Sequence, residues 1–176
     1  MKKLSDLPDK LSELNLQIGV FKAEELPVEF VDQLINKSLQ PHILEFEGDE
    51  DAKGRFASRE AYKKWTSSKK RIIYLLLDGG EVAGIIWFGE RINPNIDSEY
   101  NITFGIRLYE GYVGKGLSKS FMISSHKDVE QYYPGQKIWL DFKSENVAAR
   151  RAYESFGYKY IGEEGERVIM GYDPKV

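Results

Sequence analysis

Between Ile138 and Tyr158 the chain reads "IWLDFKSENVAARRAYESFGY" and carries an amide and a phenol on one strand–loop–helix unit. The alternation Ile138-Trp139-Leu140-Asp141-Phe142 predicts a strand, Lys143-Ser144-Glu145 a loop, and Asn146 the opening of a helix. Ala149, Ala152, Tyr153 and Phe156 then recur at helical spacing, and Gly157 is a natural stop because it accepts the left-handed conformation. Tyr153 thereby falls two turns beyond Asn146. A phenol held there can lend a proton to a departing group. The plain alternative is a core tyrosine on the apolar stripe with its hydroxyl at the edge.

A second unit lies upstream. "EYNITFGIRL" (99–108) predicts a strand with Ile102, Phe104, Ile106 and Leu108 on one face. After the turn Tyr109–Val113 comes "GKGLSKSFM", opening a helical pattern that runs to about Tyr132, with Leu117, Phe121, Met122 and Val129 apolar. A strand, a glycine loop and a helix N-terminus make an anion site, because loop amides and the helix dipole both favour negative charge. Gly114 and Gly116 let the backbone approach a phosphate, and Lys115 adds a cation. Alone, Gly-Lys-Gly is as readily an ordinary turn. The longer NTPase phosphate loop and the dinucleotide fingerprint are both missing.

Asn146, Ala149, Tyr153, Glu154, Gly157 and Tyr158 form a pattern that closely resembles the second acetyl-CoA motif of the GCN5-related N-acetyltransferase family, with Tyr158 where Phe is commoner. Val113-Gly114-Lys115-Gly116-Leu117-Ser118 resembles the family's pyrophosphate motif, Gln/Arg-x-x-Gly-x-Gly/Ala. Val113 departs by replacing the long polar residue, and Ser118 by replacing the small one. The two motifs stand in family order, separated by one helix and one strand, and the resemblance spans residues 72–172. It implies an α+β (α/β) acyl-CoA N-acyltransferase fold, one mixed and mostly antiparallel sheet with helices on both faces. The parallel strands 99–108 and 136–142 would splay apart to admit the acyl-pantetheine arm.

The resemblance also implies residue roles. Backbone amides of Gly114, Lys115, Gly116, Leu117, Ser118 and Lys119 would hold the pyrophosphate of acetyl-CoA, and Ile106, Arg107 and Leu108 would pair with the pantetheine. Asn146 would bond the cofactor arm, and Tyr153 would protonate the leaving thiolate, the phenol and thiol pKa values being close. A bound amine would attack the thioester directly, with a backbone N–H near Leu108 meeting the oxyanion. Glu99 and Asp141 are the carboxylates that could take the amine's proton through a water; each is equally a solvated strand-end charge. Tyr100 is a third candidate.

Composition agrees. With 176 residues, 41% hydrophobic and 30% charged, the chain suits one domain (1–176) with a substantial core. Zero cysteines exclude disulfides and thiolate metal sites. Two histidines, His42 and His126, form no metal cluster and read as surface or helix residues. The net charge of −3 argues against a nucleic-acid-binding surface. No apolar run approaches the roughly 20 residues of a membrane span, and MKKLSDLPDKLSEL lacks the apolar core of a signal peptide. The expected location is cytoplasmic.

Further elements are a strand at 16–22, a helix from Pro27 with Phe30, Leu34 and Leu39, and a short helix at 58–67. Between those helices, 41–56 reads as an acidic loop. A hairpin, "RIIYLLLD" turning at Gly79-Gly80 into "EVAGIIWFGE", precedes the motifs, and a last strand pair (158–164, 167–172) follows them. Glu45, Glu47, Asp49, Glu50 and Asp51 would draw a cationic amine, small molecule or peptide, if that loop flanks the acceptor; a solvated loop serves equally. Phe46, Phe56, Tyr62, Trp65 and Trp87 could line the acceptor pocket, core packing being the commoner use of such residues. A homodimer through sheet edges or the C-terminal strands is compatible with the pattern. Two alternatives stay open: a non-catalytic acyl-CoA-binding or sensor module of the same fold, and an enzyme using another acyl donor.

Overall fold

The computed structural model describes residues 1–46, 54–67 and 69–175. Eight strands form one sheet in the order β1-β2-β3-β4-β5-β6-β8-β7. They are β1 (Lys2–Lys3), β2 (Gln17–Lys22), β3 (Arg71–Asp78), β4 (Glu81–Glu90), β5 (Tyr100–Leu108), β6 (Lys137–Lys143), β7 (Lys159–Glu164) and β8 (Arg167–Tyr172). The helices are α1 (Asp9–Glu13), α2 (Val28–Lys37), α3 (Pro41–Phe46), α4 (Arg59–Ser67), α5 (Leu117–Val129) and α6 (Val147–Phe156). Every ladder is antiparallel except β5–β6. The fold is the mixed sheet with splayed parallel strands that the resemblance implies.

Burial on both faces explains the central hairpin. Six consecutive residues of β3 and eight of β4 are buried, because each strand is covered above and below. Alternate side chains divide into two cores. Tyr74, Phe88, Phe104, Phe121, Leu140 and Phe142 belong to the side beneath α1, α5 and α6. Ile73, Leu75, Ile85, Trp87, Leu34 and Tyr62 belong to the side beneath α2 and α4.

Two sequence expectations change. Residues 41–46 are helical rather than loop; Pro41 is compatible with a first helical turn, and among the described side chains of this helix only Ile43 is buried, so six residues carry too little periodicity to be read. The motif helix α5 stops at Val129, not near Tyr132. There the N–H groups of Tyr132 and Tyr133 both turn back to the Val129 carbonyl (2.9 and 3.1 Å), ahead of Pro134. The N-terminal segment also has structure: β1 pairs with β2, and α1 buries Leu11 beside α5.

The decisive irregularity lies between β5 and β6. Their ladder holds only Tyr100↔Lys137, Ile102↔Ile138 and Thr103↔Trp139, with a register shift between the first two pairs. Beyond it, 104–108 of β5 and 140–143 of β6 are unpaired with each other. On their outer sides both strands stay bonded, β5 to β4 as far as Leu108 and β6 to β8 as far as Lys143. The result is a gap within the sheet.

Candidate active site

Backbone direction settles which groups line the gap. Tyr109 N–H bonds to the Ala83 carbonyl (3.0 Å) and Arg91 N–H to the Asn101 carbonyl (2.9 Å). Odd-numbered residues of β5 therefore address β4, and alternation turns the backbone groups of Phe104, Ile106 and Leu108 toward the gap. Ile106 and the Leu108 N–H thus present an open edge, as a chain pairing with this strand requires, while the Leu108 carbonyl is taken by His42. Arg107 does not: its backbone belongs to the β4 ladder. Its buried guanidinium stands over Phe56 (5.0 Å) and Trp87 (5.5 Å).

At the end of β5 the chain turns into the glycine loop. Gly114 (φ +76°) and Gly116 (φ +67°) both take left-handed backbone, which costs a residue with a side chain about 1–2 kcal/mol. No side chain caps α5 at Gly116, so the first-turn amides of Leu117, Ser118 and Lys119 face outward. Leu117 is fully buried and pins that turn to the core. A Cβ on Gly114 would meet nothing within 4 Å, so the loop is an open cradle. Lys115 Nζ lies over the Tyr112 ring (5.5 Å), and the Tyr112 hydroxyl donates to Asp78 (2.8 Å). Burial and that carboxylate push the Tyr112 phenol up to about 12. Val113 is 51% exposed, its side chain directed outward.

Helix α6 closes one side of the gap. Asn146 caps it, its Oδ1 accepting from Ala149 N–H (3.0 Å). That leaves the Nδ2 amide as the group Asn146 can offer to a ligand. The Tyr153 ring packs on Phe104 of β5 (6.3 Å) and Phe142 of β6 (5.4 Å), spanning the two strands where they part. Behind it, the tilted ring of Tyr158 packs at 5.9 Å. The Tyr158 hydroxyl meets His126 Nε2 at 2.7 Å, while His126 Nδ1 meets the Met122 carbonyl at 2.8 Å. A carbonyl only accepts, so Nδ1 carries the proton and Nε2 accepts from Tyr158. His126 is buried among Phe88, Phe104, Phe156 and Tyr172, and burial pulls its imidazole down to about 3. It is a helix residue, as read from sequence, but a core one rather than a surface one.

The candidate bases are both engaged. Asp141 accepts through Oδ2 from Arg167 Nε, and its carbonyl accepts from Arg167 Nη2 (3.1 Å). Ile138, Leu140 and Phe142 belong to the α5/α6 side, so alternation places Asp141 on the α3 face of β6. Glu99 is exposed, pairs with Lys137, and stands at the closed end of the β5–β6 ladder, away from the gap. Tyr100 is beside it, under Lys137 Nζ (5.5 Å).

Across the gap lies α3. His42 Nε2 donates to the Leu108 carbonyl (3.0 Å), and Lys143 Nζ donates to the Glu45 carbonyl (3.1 Å). The helix is therefore tied to both lips. Of the acidic run only Glu45 falls among the described residues; Glu47, Asp49, Glu50 and Asp51 lie outside them. Phe56, Tyr62 and Trp87 are buried, and Trp65 packs against them, which is the core role. His42 and Arg167 escape a sequence reading because their partners are 66 and 26 residues away.

No protein-family model matches the chain. It is 33% identical over 96 residues to the spermine/spermidine N(1)-acetyltransferase of Bacillus subtilis strain 168, covering 52% of this chain and 63% of that protein. A probable spermine N(1)-acetyltransferase of Bacillus subtilis subsp. natto is 26% identical over the same length and shares. The match thus spans less than two thirds of either curated relative. The aminoglycoside acetyltransferase AAC(6')-Ib, in complex with ribostamycin and coenzyme A, superposes with a TM-score of 0.67 at 17% identity, over 90% of this chain and 94% of that one. Campylobacter jejuni N-acetyltransferase PseH, in complex with acetyl coenzyme A, gives a TM-score of 0.55 at 14% identity, over 89% and 99%. These two likenesses speak for the fold. Among the described residues no helix is long and apolar enough to cross a membrane. The chain thus resembles N-acetyltransferases in sequence over 96 residues and in fold, in agreement with the two motif resemblances read from the sequence.

Proposed function

We propose that this protein transfers the acetyl group of acetyl-CoA to a primary amine. One observation carries the reading: the sheet opens between β5 and β6 beside an uncapped, glycine-led helix N-terminus. An extended pantetheine arm fits the open edge at Ile106 and Leu108, and loop amides from Gly114 to Lys119 hold the pyrophosphate. The amine nitrogen attacks the thioester carbonyl; the C–N bond forms and the C–S bond breaks. Tyr153 gives its proton to the thiolate, and the amine's proton leaves through a water. Asp141, on the acceptor face, is the carboxylate of choice for that water, its charge held by Arg167. The relative's name supports a polyamine-type acceptor. A cationic small molecule is the first choice, a peptide amine the second.

Calorimetric titration with acetyl-CoA, with ATP as control, tests the cofactor site, and thiol release with spermidine as acceptor tests turnover. Saturable, acetyl-CoA-selective binding followed by release of one thiol per acetylated amine is expected. The second reading is a binding module without turnover. It is favoured by the engagement of both candidate bases in ion pairs, and binding without thiol release across an amine panel would establish it. No binding by folded protein refutes both.

A further inference from the structure

The pyrophosphate motif of this chain lacks its usual long polar side chain, since Val113 holds that position and faces outward. A cation reaches the loop from elsewhere. A Cβ built on Gly116 would stand 2.7 Å from Nζ of Lys10, so that ammonium lies directly against the left-handed glycine that opens α5.

Its position is built in. Lys10 belongs to α1, which follows Pro8 and sinks Leu11 fully into the core. Two ion pairs fasten the preceding segment along α5 toward its other end, Lys2 to Asp128 (2.6 Å) and Asp6 to Lys127 (3.0 Å). The segment therefore runs antiparallel to α5, and its last turn brings Lys10 over the start of that helix. Among the described residues no carboxylate pairs with Lys10. An ammonium, uncapped amides and a helix dipole of the same sign converge there, with Lys115 and Lys119 nearby in sequence. Like potentials gathered at one point are stabilised by an anion.

We propose that Lys10 is a direct ligand of the cofactor's pyrophosphate, delivered by the N-terminal helix in place of the polar residue that the loop itself lacks. This rests on the acetyl-CoA reading above. It assigns a function to a segment outside both motifs, and makes the docking of α1 on α5 a condition of tight cofactor binding.

The test is calorimetric titration of the full chain and its Lys10→Gln, Lys10→Arg and Lys3→Ala variants with acetyl-CoA, 3′-dephospho-CoA and acetyl-pantetheine. Thermal melts verify that each variant is folded. Lys10→Gln should weaken acetyl-CoA about tenfold, the usual worth of one charge-assisted hydrogen bond, and flatten the salt dependence of Kd. Lys10→Arg should recover most of the loss, and Lys3→Ala should change nothing. The loss should persist with 3′-dephospho-CoA and vanish with acetyl-pantetheine, which has no pyrophosphate. Wild-type affinity in folded Lys10→Gln overturns the proposal while leaving the cofactor site standing. A loss confined to donors carrying the 3′-phosphate overturns the pyrophosphate assignment. Failure of the wild type to bind acetyl-CoA refutes the acetyl-CoA reading, and this proposal with it.

Discussion

Mild acid should destabilise this protein through His126. In the denatured chain its imidazole titrates near 6.5, whereas in the folded protein burial pulls it down to about 3. As pH falls below about 6.5 the denatured state takes up a proton that the folded state refuses until about 3. The stability present above that window is therefore lost as pH falls through it. Each pH unit inside the window removes ~1.4 kcal/mol, which is about 2 kcal/mol by pH 5 and approaches about 5 kcal/mol at its lower end. Against a typical domain stability of about 5–15 kcal/mol, that is a large share. Urea unfolding of wild type and His126→Gln at pH 7.5, 6 and 5 isolates the effect, since other titrating groups act on both proteins. Wild type should lose about 2 kcal/mol more than the variant between pH 7.5 and 5. Parallel curves would refute the reasoning, as would an imidazole NMR titration in the folded wild type with a midpoint near 6.5.

Three further outcomes are expected. Tyr153→Phe should lower turnover by about 10²-fold or more with acetyl-CoA affinity nearly unchanged by calorimetry; full turnover removes Tyr153 from the acid role. Gly105→Ala should lower stability by about 1–3 kcal/mol in urea unfolding, because a Cβ there would clash with the edge atoms of the Trp87 ring. Val113→Arg should tighten acetyl-CoA binding if the outward side chain at this position reaches the pyrophosphate, and an unchanged Kd shows that Val113 faces away from it.

What the sequence discloses follows the range of the interactions involved. Periodicity and turn chemistry are local, so the β3–β4 hairpin, the α6 cap at Asn146 and the glycine-led start of α5 are all legible. The gap is legible only through the resemblance. Nothing in "EYNITFGIRL" or "KIWLDFK" states that pairing stops at Thr103 and Trp139. Contacts across the chain leave no local trace. His42 reaches Leu108 from a helix too short to announce itself, and Arg167 reaches Asp141 across a strand pair. His126 reads as an ordinary helix residue because its burial comes from Phe104, Phe156 and Tyr172, each supplied by a different element.

The three rungs between β5 and β6 are also the whole hydrogen-bonded ladder joining the two parts of the sheet. On one side stand five strands, β1 to β5; on the other stand three, β6, β8 and β7. Mechanically these are two plates with a short seam, with the Tyr153 ring packed against Phe104 on one plate and Phe142 on the other. An extended molecule bonded along the open lip of β5 would supply the missing rungs and lengthen the seam. Substrate occupancy and the rigidity of the sheet then become one quantity. If that molecule is the acyl-CoA of the proposed function, its binding would stiffen the sheet at the seam.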